Sequence, residues 1–319
     1  MLDKFIGTLL GGAIGDAIGM EAEGLTAEEV ASYGGITGYH AHLHPRWRPL
    51  LPAGRWTDDT ALTLAIARSI VRCQGVDLTD IATEHVRALE TEGPRGWGEG
   101  TLWGIKNFRM GLPPNHCGCK GYAGNGTAMK AAPLGLWHCR EGLKEIAQSA
   151  KQIAQFTHND NRAVIAMALQ AEAVRFVLDL TPQEFDPWQF LERITECAKA
   201  FERRFPPEES FLPKIEKVRE LINCPIAWLV SRIGNGCYVL ESWPFAVACF
   251  LRNPMDLKAA ALEAANAGGD ADSTASMACA MVGALVGAQA IPKDLVAPLE
   301  RSGEIQELAL ELWKTRFSP

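Results

Sequence analysis

The chain has 319 residues, 47% of them hydrophobic and 22% charged, the balance of a globular protein large enough to bury a substantial core. Its formal net charge is −7 and it contains no Lys/Arg run, which excludes a nucleic-acid backbone as partner, because such modules carry basic stripes. Nine Cys residues, an odd number scattered singly apart from Cys117-Gly118-Cys119, do not fit a closed disulfide framework and point to a reducing, cytoplasmic setting.

Helical periodicity dominates and strand-like alternation is scarce, so the fold is expected to be all-α. The first element, Gly7 to Gly19, mixes Gly and Ala with Leu and Ile, which lets backbones pack closely at the centre of a helical assembly. Asp16 interrupts it. That carboxylate would cost several kcal/mol if buried alone, so it needs a backbone amide, an Arg or a metal-bound water. Asp16 also rules out a signal-peptide reading of this stretch, and no charge-free apolar run approaches the roughly 18 residues that span a bilayer. Glu23, just past the helix, can reach a cleft as a base or metal-bridging group, or can be solvated. His40, His42 and His44 alternate like a metal strip, but Cys117-Gly118-Cys119 lacks knuckle spacing, and a solvent loop is the expectation.

After Asp59 the residues Leu62, Ala65, Ile66, Ser69, Ile70 and Cys73 share one helical face, with Thr57 or Asp58 placed to cap the start. Similar patterns run from Asn161 to Leu178, Trp188 to Phe201, Ile215 to Ile222, Ser242 to Leu251, Leu257 to Ala267, Ser273 to Ala288 and Gly303 to Trp313. Pro206-Pro207 punctuates the chain but is expected to be a loop inside one domain covering 1–319, because chemistry-bearing residues lie on both sides of it.

Two clusters carry that chemistry: Thr57-Asp58-Asp59-Thr60 and Asp270-Ala271-Asp272-Ser273, each just ahead of an apolar run. Oxygen-only donors suit Mg²⁺ or Mn²⁺, although each cluster by itself would serve equally as a helix cap. An EF-hand loop is rejected, since its sixth and twelfth positions would be Ala275 and Met281. Gly124-Asn125-Gly126-Thr127-Ala128-Met129 forms a Gly-flanked turn whose N–H groups could hold a phosphate or ribose hydroxyl, or could simply be a turn. His158, in the loop before the helix from Asn161, could contact substrate or a metal-bound water, or be structural.

Taken in order, these segments resemble the ADP-ribosylglycohydrolase family. The matching residues are G-A-I-G-D-A-I-G with Glu23, R-W-T-D-D-T from Arg55 to Thr60, R-G-W-G-E-G-T from Arg95 to Thr101 and G-N-G-T-A-M-K from Gly124 to Lys130. T-H-N from Thr157 to Asn159, E-S-W-P from Glu241 to Pro244 and G-G-D-A-D-S-T from Gly268 to Thr274 complete the set. The resemblance implies a compact orthogonal multi-helix domain around a two-metal cleft. Thr57, Asp58, Asp59, Asp270, Asp272 and Ser273 would be ligands to Mg²⁺ or Mn²⁺. Glu23, Asp59 and Asp272 would be catalytic, and Gly124, Asn125, Gly126, Met129 and His158 would bind substrate. The implied substrate is an ADP-ribosylated protein or small molecule, without nucleic-acid or membrane contact; a non-catalytic ADP-ribose-binding or structural relative and a two-metal phosphoester hydrolase are the alternatives. The chain departs from the family pattern at Ser273 (usually Thr), at Lys130 (usually Arg), and near Gly96, where arginine-specific members carry an Asp and this chain has no carboxylate until Glu99.

Overall fold

The computed structural model describes residues 1–40, 51–93 and 95–317. The solvent loop expected around His40, His42 and His44 therefore lies largely outside the described residues, which include His40 but neither His42 nor His44. Sixteen α-helices account for most of the described chain. In the first half these are α1 (Leu2–Gly19), α2 (Ala27–Ser32), α3 (Asp58–Cys73), α4 (Leu78–Glu92), α5 (Glu99–Arg109), α6 (Ala132–Trp137), α7 (Leu143–Thr157) and α8 (Asn161–Leu178). The second half holds α9 (Pro187–Arg204), α10 (Leu212–Leu221), α11 (Ile226–Ile233), α12 (Val239–Arg252), α13 (Leu257–Asn266), α14 (Ala271–Val286), α15 (Lys293–Val296) and α16 (Ser302–Phe317). Among the described residues the strands form one parallel pair, β1 (Cys119–Lys120) beside β2 (His158–Asn159), with isolated bridges joining Thr26 to Gly268 and Gly124 to Tyr238.

The pairing of α1 with α14 organises the molecule. A Cβ built on Gly7, Gly11, Gly15 or Gly19 would stand 2.5, 2.4, 2.3 or 2.2 Å from the carbonyl oxygens of Gly283, Cys279, Ala275 and Ala271 in turn. One set of numbers rises as the other falls, so the helices run antiparallel with backbones in contact. Only glycine, repeated every fourth residue along one face, permits that approach. Its consequence is positional: the C-terminal end of α1 is delivered to the N-terminal end of α14, which joins the Asp16–Glu23 segment to the Asp270–Ser273 cluster.

Asp16 is buried at 0% exposure and finds the backbone partners its position demands. Its carboxylate accepts from the amide N of Thr57 at 2.9 Å, from that of Thr60 at 2.9 Å and from Thr60 Oγ1 at 2.6 Å. These donors are orphan groups of the first turn of α3, where a carboxylate also meets the positive end of the helix dipole. Asp16 thus docks α3 against α1. One core, running from Phe5 to Leu312, is shared by elements on both sides of Pro206-Pro207, whose loop is held by Asn161 Nδ2 donating to Pro206 O at 2.8 Å.

Helices α4, α5 and α7, like the short α2, α11 and α15, are additions to the elements read from periodicity. The buried face of α7 includes Ile146, Ala147, Ala150, Ile153, Ala154 and Phe156, a regular apolar stripe that was legible in the sequence, and that of α4 mixes Ile81, Ala82 and Ala88 with Glu84 and His85. A small satellite cluster of Ala82, Ile105, Cys117 and Phe156 packs these helices together. Among the described residues no helix is long and apolar enough to cross a membrane.

Candidate active site

Thr57 caps α3, its hydroxyl accepting from the Asp59 amide at 3.3 Å, and this leaves the two following carboxylates free of capping duty. Asp58 Oδ2 accepts from Gly98 N at 3.3 Å, and its own amide is fixed by donating to Arg95 O at 2.9 Å. Arg95 is locked in turn by the Glu300 carboxylate, with Nη1 to Oε2 at 2.7 Å, and by lying 4.3 Å over the Trp56 ring. At the start of α14 the capping alternative fails. Asp270 makes no side-chain cap; its Oδ2 instead accepts from Asn125 Nδ2 at 3.0 Å.

The loop before α12 closes the arrangement. Asn235 O accepts from Asp270 N at 2.8 Å while Asn235 Nδ2 donates to Gly268 O at 2.8 Å, and Asn125 N donates to Cys237 O at 3.0 Å. Glu23 Oε2 accepts from Ala271 N, the second residue of the other Asp cluster, at 2.9 Å. The result is a cavity of about 310 Å³ lined by Glu23, Asp58, Asp59, Gly124, Asn125, Gly126, Met129, His158, Asp270, Asp272 and Ser273. Every residue expected at the site is in that lining except Thr57, which is fully buried behind it with Oγ1 3.5 Å from Asp59 Oδ2.

Burial and mutual repulsion dominate the electrostatics. Burial first, then the charge of Asp270, raises Glu23 to about 8, and burial raises Asp58 to about 8. Asp59 and Asp272 are driven well above the usual carboxylate range, again by burial and then by neighbouring carboxylates. Among the described residues the salt bridges of Arg and Lys lie elsewhere, such as Arg162 with Asp160 and Arg175 with Glu172; the nearby cation is the buried Lys130, which burial lowers to about 7. Asp59 Oδ1 is buried without a hydrogen-bond partner. A buried unpartnered oxygen within this set of carboxylates and hydroxyls leaves a donor set that suits a hard cation.

Several lining residues escaped the sequence reading. Trp97 and Gly98 sit in a motif that was recognised as a block without individual roles; Tyr122, whose ring centroid is 5.3 Å from that of His158, and Cys237 carried no local signal at all. Glu23, Cys237 and Asp270 each place a potential ligand atom within 4.8 Å of the others. The charge of Asp270, followed by burial, pushes the Cys237 thiol upward, so sulfur there is protonated and the oxygens carry the site's charge. Glycine keeps the opposite wall open: a Cβ at Gly126 would lie 2.7 Å from His158 Cε1, and one at Gly100 would lie 2.8 Å from His158 Nε2.

Fold and site together define an all-α protein with an acidic, oxygen-lined cleft where two distant helix N-termini meet. The family model described as ADP-ribosylglycohydrolase matches residues 1–318, and the chain belongs to that family of hydrolases. It is similar to mouse ADP-ribosylhydrolase ARH3, with 27% identity over 98% of this chain and 91% of the relative. It is also similar to the ADP-ribosylarginine hydrolase Tri1 of Pseudomonas putida, with 27% identity over 98% of this chain and 78% of the relative. Among solved structures, one described as an ADP-ribosylglycohydrolase-related protein complex superposes with a TM-score of 0.73 at 25% identity, covering 99% of both chains.

Proposed function

We propose that the protein is a Mg²⁺- or Mn²⁺-dependent hydrolase that cleaves the glycosidic bond between ADP-ribose and a modified protein side chain or small molecule. The observation that carries the reading is Asp59 Oδ1, a buried acceptor without a partner among carboxylates that form no salt bridge with Lys or Arg among the described residues. Thr57, Asp58, Asp59, Asp270, Asp272 and Ser273 would hold the cations. When bound, such ions polarise ribose hydroxyls and water and lower the pKa of that water.

The chain's own groups do the rest. Backbone N–H groups of Gly124 and Gly126 meet the pyrophosphate and ribose oxygens, while that of Asn125 is taken by Cys237 O, and glycine there lets the ligand approach the backbone. Asn125 holds Asp270 in place through its 3.0 Å hydrogen bond. The carboxylates of Asp59 and Asp272 favour positive charge building on C1 of the ribose as the bond breaks. Glu23, anchored by Ala271 N, serves as the proton acceptor for the attacking water, the neighbouring cations holding it ionised when bound. The nine free Cys residues fit a cytoplasmic setting.

The test incubates the protein with arginine-linked, serine-linked and small-molecule-linked ADP-ribose, with and without Mg²⁺, and follows free ADP-ribose. Metal-dependent release from at least one substrate is expected. Binding of ADP-ribose without release from any of them would move the protein to a binding role, and release of phosphate would make it a phosphoester hydrolase.

A further inference from the structure

Asp58 is held at two points, and both belong to one loop. Its amide N donates to Arg95 O at 2.9 Å, and its Oδ2 accepts from Gly98 N at 3.3 Å. Arg95 also closes on the other side of Thr57, where its Nη1 donates to Trp56 O at 2.9 Å. The same loop supplies Gly96, Trp97 and Gly98 to the cavity wall. The seat of Arg95 thus decides where the Asp58 carboxylate and that wall stand.

Arg95 is 6% exposed, and a guanidinium so placed needs partners for its charge and its N–H groups. Glu300, 205 residues away, supplies them. Nη1 donates to Oε2 at 2.7 Å and Nη2 to Oε1 at 3.0 Å, a fork that fixes orientation as well as position. Glu300 is tied in turn to the three residues ahead of Thr57. Its N donates to Gly54 O at 2.9 Å, its carbonyl accepts from Trp56 Nε1 at 3.1 Å, and its carboxylate pairs with the Arg55 guanidinium.

The backbone bends to allow this meeting. Gly54 has a φ of +78°, and a Cβ there would stand 2.2 Å from Pro298 O. Arg301 takes a φ of +51° without being glycine, held by Glu92 at 2.6 Å and lying 4.7 Å over the Trp56 ring. Such a conformation persists only where the surroundings over-determine it.

We propose that Glu300 is a positioning residue: through Arg95 it sets the Asp58 carboxylate and the wall from Gly96 to Gly98, although it lines no part of the cavity itself. That the carboxylate so placed holds a cation rests on the function proposed above; the placement does not. Glu172 provides the contrast. Its buried carboxylate takes Arg175 and Arg193, each at 2.7 Å, and those two guanidinium groups bond to Glu172 and to no residue of the site.

Amide hydrogen exchange of the metal-free protein in EDTA reads the placement, and calorimetric titration with Mn²⁺ reads its consequence. Glu300→Gln keeps the shape of the side chain but offers one acceptor in place of two. The Asp58 amide should then exchange about tenfold faster, and the Mn²⁺ Kd should rise about tenfold, the lower end of what losing a supporting group costs a metal site. Arg95→Lys keeps the charge and loses the fork, so it should reproduce both effects, and it carries the test if Glu300→Gln does not fold. Glu172→Gln should leave Asp58 exchange and Mn²⁺ binding at native values however far it lowers the melting temperature. A folded Glu300→Gln or Arg95→Lys with native exchange at Asp58 overturns the proposal, as does a Glu172→Gln that speeds Asp58 exchange equally. If the native protein binds no Mn²⁺, faster exchange confined to Asp58 and Gly98 would support this inference while removing the metal reading.

Discussion

Asp59 Oδ2 and Ser273 Oγ lie 3.3 Å apart although 214 residues separate them in the chain. The contact joins the N-termini of α3 and α14, and neither helix could place its carboxylate there without the glycine-mediated approach of α1 to α14. Asp59 is the most exacting test of the site, because one of its oxygens has no protein partner. Asp59→Asn should weaken Mn²⁺ binding roughly 100-fold or more, by analogy with the 10–100-fold effects of removing mere supporting groups. It should also raise the melting temperature of the metal-free protein by relieving carboxylate repulsion. Calorimetric titration and thermal melts in EDTA check the two effects, and a destabilised metal-free variant would contradict the charge argument.

Stability of the metal-free protein should fall as pH rises from about 6.5 to 8. Glu23 and Asp58, raised to about 8, and Asp59 and Asp272, also raised, bind protons in the folded state that the unfolded chain has already released. A folded state that holds more protons loses stability with increasing pH. Lys130, lowered to about 7, works in the opposite sense and offsets part of the effect. His158, lowered to about 3, contributes a penalty only below the ordinary histidine range of about 6.5. Saturating Mg²⁺ should flatten or reverse the slope, because metal binding displaces those protons. Melting curves across this window, in EDTA and in Mg²⁺, provide the measurement.

Asp16→Ala should cost about 3–5 kcal/mol, since it strands the buried amides of Thr57 and Thr60 and the Thr60 hydroxyl together. Urea unfolding gives the figure. Asp16→Asn, which keeps an acceptor but brings an amide into a ring of donors, should fall between the two.

Gly15→Ala would place a methyl 2.3 Å from Ala275 O, a contact that only a shift of one backbone can relieve. A loss of about 3 kcal/mol is expected from overpacking, with metal binding weakened in step because the same shift separates Glu23 from Ala271. Gly12→Ala serves as the comparison, because its Cβ would stand 3.6 Å from the nearest atom. It should leave stability within about 0.5 kcal/mol of the native protein.

Gly126→Ala acts on the cleft alone. Its methyl would lie 2.7 Å from His158 Cε1, so the variant should fold normally while its affinity for ADP-ribose falls at least tenfold. Calorimetry against unfolding midpoint separates the two.

Local sequence determined much of this protein. Helix periodicity marked α8 from Asn161 to Leu178 with both ends placed, and the carboxylate clusters announced themselves through Asp and hydroxyl residues ahead of apolar runs, because capping and amphipathic patterning are short-range effects. Asp16, alone in an apolar helix, called for a backbone amide, an Arg or a metal-bound water, and the structure supplies the amides of Thr57 and Thr60. What lay beyond the sequence was contact across long separations. The α7 stripe from Ile146 through Ala150 and Ile153 to Phe156 was legible at helical spacing; that Phe156 would pack against Ala82, Ile105 and Cys117 was not. Cys237 and Tyr122 carried no local sign of the cleft, since their place depends on how the loop before α12 meets the Gly-Asn-Gly turn. Lys130 read as a departure from a motif; only the packing made it a fully buried donor to the Thr157 hydroxyl. Tertiary structure decided these points because burial, unlike helix propensity, is a property that no segment has by itself.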